Sequence, residues 1–118
     1  TETAMSRHNL QNPELADYTF LQDIYNDNSF PFEFAQRGEA ILVDTCRQIE
    51  ADPPSDAEAL YLFTQAAAER FNQLREEFDI EGGNTLRDAI GNDLAYIAQC
   101  YGIYDTDTDR LAATQDDW

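Results

Sequence analysis

Apolar residues return every three or four positions through most of this chain, and nowhere do they alternate with polar ones over a strand's length. An α-helix turns once in about 3.6 residues, so that spacing lines the apolar side chains along one face, whereas a half-buried strand would need a period of two. The pattern is interrupted at Asn26-Asp27-Asn28-Ser29, at Asp52-Pro53-Pro54, at Gly82-Gly83 and at Gly102. The segments between these breaks are of roughly 13 to 24 residues with short connections, which calls for an all-α fold: an antiparallel bundle of four main helices plus a short C-terminal helix. A chain of 118 residues with 42% apolar side chains suits one domain with one core.

Local chemistry marks the ends. Asn12-Pro13 reads as N-cap and first helical residue, with Glu14 and Asp17 on the positive end of the helix dipole. The first helix is expected to carry Leu15, Tyr18, Leu21, Ile24 and Tyr25 on its buried face. Pro31, set between Phe30, Phe32 and Phe34, opens the second. That helix places Phe34, Ile41, Leu42, Thr45, Cys46 and Ile49 on one side, with Gly38 admitting a close neighbour. Ser55-Asp56-Ala57-Glu58 has the form of a capping box, with Ser55 as cap and Glu58 reaching back. The third helix runs from there to about Phe78 through Leu60, Phe63, Ala67, Phe71 and Leu74, and Gly82-Gly83 is expected to end it. Thr85 caps the fourth, whose stripe is Leu86, Ile90, Leu94, Ile97 and Tyr101, stopped at Gly102 by a left-handed residue. Asp107 caps the last helix, anchored by Leu111, and the Trp118 ring is expected to pack back on the bundle. Residues 1–11 read as a flexible N-terminal segment, Thr1 to Ala4 as a remnant of cloning ahead of Met5, and residues 12–118 as a single helical domain.

Charge excludes several functions. The chain holds 24 acids against seven basic residues, all of them Arg, for a net charge of −17. Such a surface repels phosphate, so direct binding to nucleic acid or anionic lipid is not expected. No apolar run approaches the roughly 18 residues of a membrane span. The two cysteines, Cys46 and Cys100, lie among apolar neighbours and read as small buried hydrophobes; with one His, His8, in a polar stretch, they fall short of the four ligands of a zinc site. No cofactor and no catalytic residue is expected.

Three groups of acids have a possible chemistry. Asp105, Asp107 and Asp109 with Asp116 match oxygen positions one, three, five and twelve of a calcium loop, although the sixth position is Arg110 where that loop needs Gly. The same residues also read as a capped helix start with solvated acids. Carboxylates one helical turn apart could hold Mg²⁺ for nucleotide hydrolysis, with Arg70, Arg75 or Arg87 on the phosphates. Yet Glu76, Glu77, Asp79 and Glu81 crowd one helix end without the facing pairs this needs. The third group is the charge itself. It fits either a salt-adapted surface, with 14 Asp, 10 Glu and no Lys, or a basic partner drawn in by complementary fields.

Several stretches in fixed order carry a family resemblance: Leu21-Gln22-Asp23-Ile24-Tyr25 and Asn28-Ser29-Phe30-Pro31, then Gly38-Glu39-Ala40-Ile41-Leu42 and Cys46-Arg47-Gln48-Ile49-Glu50. Ala59-Leu60-Tyr61, Glu69-Arg70-Phe71-Asn72, Glu76-Glu77-Phe78, Tyr101-Gly102 and the Asp117-Trp118 ending follow. Over about residues 18 to 118 the chain resembles an uncharacterised family of small acidic bacterial helical proteins, a domain of unknown function. Its members end in an Arg-Asp-Trp-like motif; here Gln115-Asp116-Asp117-Trp118 lacks the Arg. The resemblance implies a bacterial, cytoplasmic helical domain and transfers no catalytic residue.

The expectation is therefore a non-enzymatic acidic interaction protein that binds a basic protein partner, in the manner of an immunity or antitoxin-like inhibitor. Its contact acids are Glu76, Glu77, Asp79 and Glu81 together with Asp105, Asp107 and Asp109. A metal-dependent nucleotide hydrolase and a housekeeping domain with a salt-adapted surface are the alternatives. A homodimer is compatible with exposed rings at Phe30, Phe32 and Phe34.

Overall fold

The computed structural model describes residues 10–16, 18–28, 30–80 and 84–111. Every regular element among them is helical: α1 (Pro13–Ala16), α2 (Gln22–Tyr25), α3 (Phe32–Ala51), α4 (Ala57–Glu77), α5 (Asn84–Cys100) and α6 (Thr108–Leu111). The expectations for His8, Glu81 to Gly83, Asp116 and Trp118 lie outside the described residues.

The apolar stripes read from the sequence form the core. Phe34, Leu42, Cys46 and Ile49 of α3 meet Leu60, Ala67, Phe71 and Leu74 of α4, and Leu86, Ile90, Leu94 and Ile97 of α5 close over them, all nearly inaccessible to water. α3 and α4 make the most extensive helix pair. They run in opposite directions, because Arg37 pairs with Glu77 while Asp44 pairs with Arg70. Gly38 admits a close neighbour from each side: a Cβ there would stand 2.7 Å from Leu21 Cδ1 and 2.8 Å from Phe71 Cε1, inside contact distance. Of the Phe-Pro-Phe rings, Phe34 is fully buried and Phe30 half-buried and stacked on it at 5.7 Å, so only Phe32 is exposed.

Where the first helix was expected to run unbroken, two four-residue helices stand, separated by a turn. Asn12 caps α1 as read, its Oδ1 accepting from the Glu14 and Leu15 amides at 3.0 and 3.3 Å. By Tyr18 the chain is no longer helical, and Leu21 adopts a left-handed conformation (φ 57°). The cause lies on α5: Asp93 takes the Leu21 N–H at 2.6 Å and the Tyr18 hydroxyl at 3.0 Å. The turn also allows Phe20, which is off the helical stripe, to be buried beside Leu15, Leu21 and Ile24. Leu10 is buried as well, so packing begins before Asn12.

Two helix starts differ from expectation: α5 begins at Asn84, so Thr85 lies inside it and is not its cap, and α4 begins one residue late. α4 is capped by Asp56, one residue later than Ser55; its Oδ1 accepts from Ala59 N at 2.9 Å. Asp caps as well as Ser and adds a charge suited to the dipole. Glu58 then falls one position too early to reach back, and it pairs with Arg110. α4 stops at Glu77, within one residue of the expected Phe78 and ahead of Gly82-Gly83. Ile80 N donates to Arg75 O at 2.9 Å and Asp79 N to Glu76 O at 3.1 Å, with Asp79 at φ 54°. This is the Schellman arrangement with Asp where Gly is usual, and it turns Ile80 back onto the core. The same hydrogen-bond pattern ends α5 at Gly102 (φ 85°), as read from the sequence. Because an L side chain is strained in this region, Asp79→Gly is expected to stabilise the fold by about 0.5–1 kcal/mol, read as a shift of the urea midpoint with unchanged slope.

Candidate functional site

The acids singled out in the sequence occupy two separate places. Glu76, Glu77 and Asp79 lie at the C-terminal end of α4 and are exposed. Glu77 is engaged there: Arg37 forms a two-pronged pair with it, and that hydrogen bonding holds the Glu77 carboxyl below its ordinary range. Asp105 and Asp107 are also exposed but belong to the segment that packs on the N-terminal half of α4, where Asp107 N donates to the Tyr61 hydroxyl at 2.8 Å. From Tyr61 to Glu77 the helix rises about 24 Å, so the two sets do not form one patch. The Asp109 side chain and Asp116 lie outside the described residues. Asp107 begins α6, its carbonyl accepting from Arg110 N and Leu111 N at 3.0 Å each, and Leu111 is fully buried. Among the described residues no group of three or more His, Cys, Asp or Glu is disposed to hold a metal ion.

The seam between α4 and α6 is built on Arg110. Its guanidinium donates to Glu58 at 2.7 and 2.9 Å and lies over the Tyr61 ring at 4.2 Å, while its carbonyl accepts from Gln65 Nε2 at 2.9 Å. Glu58, Tyr61 and Gln65 are spaced at helical intervals, so one stripe of α4 supplies all three contacts. Next to them Leu62 is 75% exposed, and Tyr104, three residues before Asp107, is 78% exposed.

Two carboxylates that the sequence reading passed over tie the N-terminal segment down. Glu50, near the end of α3, accepts from Gln11 N at 3.0 Å, Asn12 N at 3.0 Å and the Tyr101 hydroxyl at 2.6 Å. Asn12 Nδ2 in turn donates to Cys100 O at 2.8 Å, so one side chain caps the start of α1 and the end of α5. Partial burial pushes the Glu50 carboxyl up, but the bonds from Tyr101, Gln11 and Asn12 outweigh it and the net shift is downward. Asp93 is 7% exposed, and burial pushes its carboxyl up against the bonds from Leu21 and Tyr18; the charges of Asp23 and Glu39 add to the rise. A sign of Asp93 is present in the sequence, since it stands three residues after Ile90 and four before Ile97, inside the apolar stripe.

A group held below its ordinary pKa stabilises the fold above that ordinary value and loses the contribution as pH falls through the folded one. Stability from Glu50 should therefore fade below about pH 4.3. Glu50→Gln is expected to cost about 1 kcal/mol at pH 7, a modest figure because solvent reaches the site. Its melting temperature should converge with that of the wild type as pH falls below the ordinary carboxylate range and the carboxyl takes up its proton.

The clefts and cationic side chains offer little reactive chemistry. A cleft of about 340 Å³ is lined by Gln11, Asn12, Glu50, Pro53, Pro54 and Tyr101 among others, and one of about 290 Å³ between α3 and α4 by Arg37, Arg70 and Glu77. Arg70 is held by Asp44 at 2.7 Å, and Arg75 donates to Asn72 Oδ1 and Ile80 O. Both cysteines are free thiols. Burial pushes Cys46 up to about 12 and Cys100 up to about 11, which keeps them protonated and poorly nucleophilic at neutral pH. Cys100 is half-buried and donates to Glu14 at 3.3 Å.

Fold and surface together define a helical domain that holds much of its scarce positive charge in internal pairs and presents carboxylates to solvent. Residues 14–118 match the family described as "Family of unknown function (DUF5713)", and the chain belongs to that family. No curated protein matches the chain, and no solved structure matches it. No helix among the described residues is long and apolar enough to cross a membrane.

Proposed function

We propose that this chain is a non-enzymatic binding protein whose acidic surface meets a basic protein partner, acting as an immunity or antitoxin-like inhibitor in a bacterial cytoplasm. The observation that carries the reading is the disposition of charge. Against a net charge of −17, Arg37, Arg70 and Arg110 are each engaged by an acid of the same chain, at Glu77, Asp44 and Glu58. Acids at Glu33, Glu76, Asp79, Asp88, Asp105 and Asp107 are exposed. A field of one sign repels like-charged copies and speeds encounter with a surface of the opposite sign.

The test is kinetic. Once a basic partner is captured and purified, its association rate with the full chain is expected to fall at least tenfold between about 50 and 500 mM salt, because a Debye length of several ångströms or less screens the steering field. An association rate indifferent to salt would overturn the reading.

A further inference from the structure

The backbones of α3 and α5 hardly approach each other, and the N-terminal segment lies between them: α2 packs on both, and α1 packs on α5. The two ends of the segment fix its direction. At one, Glu50 of α3 accepts from the Gln11 and Asn12 amides, while Asn12 Nδ2 donates to Cys100 O at the end of α5. At the other, Leu21 N donates to Asp93 of α5, and Leu21 Cδ1 lies against Gly38 of α3. Gly38 precedes Glu50 and Asp93 precedes Cys100, so α3 and α5 run parallel. The segment runs against both and fills the furrow between them.

Little in this segment can stand without that furrow. α1 and α2 are four residues each, far below the length at which a helix persists in water. Leu21 occupies the left-handed region, which disfavours an L side chain. Its polar ties run outward to carboxylates of the long helices: Glu50, Asp93 and also Glu39, which accepts from the Tyr25 hydroxyl at 2.7 Å. The long helices do not depend on it in return. α3 and α4 are joined by their facing stripes and by the Arg37–Glu77 and Arg70–Asp44 pairs. α3 also starts afresh after Pro31, whose extended backbone gives the chain a joint at that point. Burial of Leu15, Phe20, Leu21 and Ile24, each at most 1% exposed, keeps the segment closed most of the time. We propose that the described residues from Leu10 to Tyr25 form a strap that leaves and re-enters the furrow between α3 and α5 as one unit, while α3, α4 and α5 stay packed. Opening withdraws Leu21 from Gly38 and releases Glu50 and Asp93, on opposite walls of the furrow, from the amides they hold. Segments that move in this way are drawn from the least stable cooperative units of a fold. The inference is independent of the binding function proposed above.

The test is native-state hydrogen exchange of the full chain, followed amide by amide by NMR at neutral pH. Ala16, Leu21, Ile24 and Tyr25 all have bonded amides. They are expected to share one protection factor, at least tenfold below that of the slowest amides of α4. Two mild substitutions separate opening of the strap from unfolding of the whole chain. Asp56→Ala removes the cap of α4, which the strap does not touch. It should speed the slowest α4 amides about fivefold and leave the four strap amides unchanged. Glu50→Gln weakens one end of the strap, and it should speed Leu21, Ile24 and Tyr25 by the same factor as Ala16, about fivefold. Strap amides that exchange at the α4 rate and follow Asp56→Ala would show that the segment opens only with the whole fold. Acceleration by Glu50→Gln confined to Ala16 would show α1 and α2 fraying separately. Either result overturns the inference.

Discussion

Asp93→Ala is expected to cost about 2–3 kcal/mol at pH 7, measured by urea unfolding, because it strands the buried Leu21 N–H and removes the partner of the Tyr18 hydroxyl. The left-handed backbone of Leu21 (φ 57°) is anchored on its N–H side by that short bond, and relaxing it would draw Leu21 and Phe20 from the core. Asp93→Asn tests whether the charge or the acceptor matters. Its amide oxygen can still receive Leu21 N–H, and its NH₂ can donate to a rotated Tyr18 hydroxyl. This variant is expected to stay within about 1 kcal/mol of the wild type, since it loses no buried partner. The pH dependence separates the two further. A carboxyl raised by burial contributes most below its ordinary value of about 3.9, and the contribution is lost as pH rises through the folded value. Asp93→Asn should therefore gain on the wild type as pH rises above that ordinary value. A cost for Asn equal to that for Ala would show that the ionised carboxylate itself holds the turn.

Gly38→Val is the second large effect, expected at about 3 kcal/mol or more. Even the single carbon of Ala would stand 2.7 and 2.8 Å from Leu21 and Phe71, both buried, so the third helix must move or two core side chains must leave their rotamers. Gly38→Ala gains about 1 kcal/mol in helix propensity, and overpacking should more than cancel it. The contact predicts non-additivity. In a Phe71→Leu background, which empties space at the ring edge, Gly38→Ala should become neutral or stabilising, a coupling of about 1 kcal/mol between residues 33 positions apart. Simple additivity of the two substitutions would remove the claim that Gly38 exists to admit Phe71.

Where the determinant was local, the sequence was readable. Asn12-Pro13 and Gly102 acted as cap and stop because their effect depends only on their own backbone and neighbours. The stripes of α3, α4 and α5 were readable because burial follows helical period. What failed was governed from afar. The break between α1 and α2 is imposed by Asp93, 72 residues away. The cap of α4 fell on Asp56 instead of Ser55 because Glu58, the other half of the expected capping box, is taken by Arg110, 52 residues away. On the surface, acids could be named one by one, but pairings such as Glu77 with Arg37 and Glu58 with Arg110 depend on how helices 40 and 52 residues apart are set against each other.

The staple from Asn12 to Cys100, together with Leu21 on Asp93, reverses the usual order of events during synthesis. A four-residue helix cannot persist alone, so during synthesis α1 has only Glu50 to hold until the end of α5, 88 residues beyond Asn12, has followed. The α3–α4 hairpin, with its short connection, is free to form meanwhile. A nascent chain stalled short of residue 93 would leave the Leu21 N–H without its acceptor and Leu15, Phe20 and Leu21 without α5 to cover them.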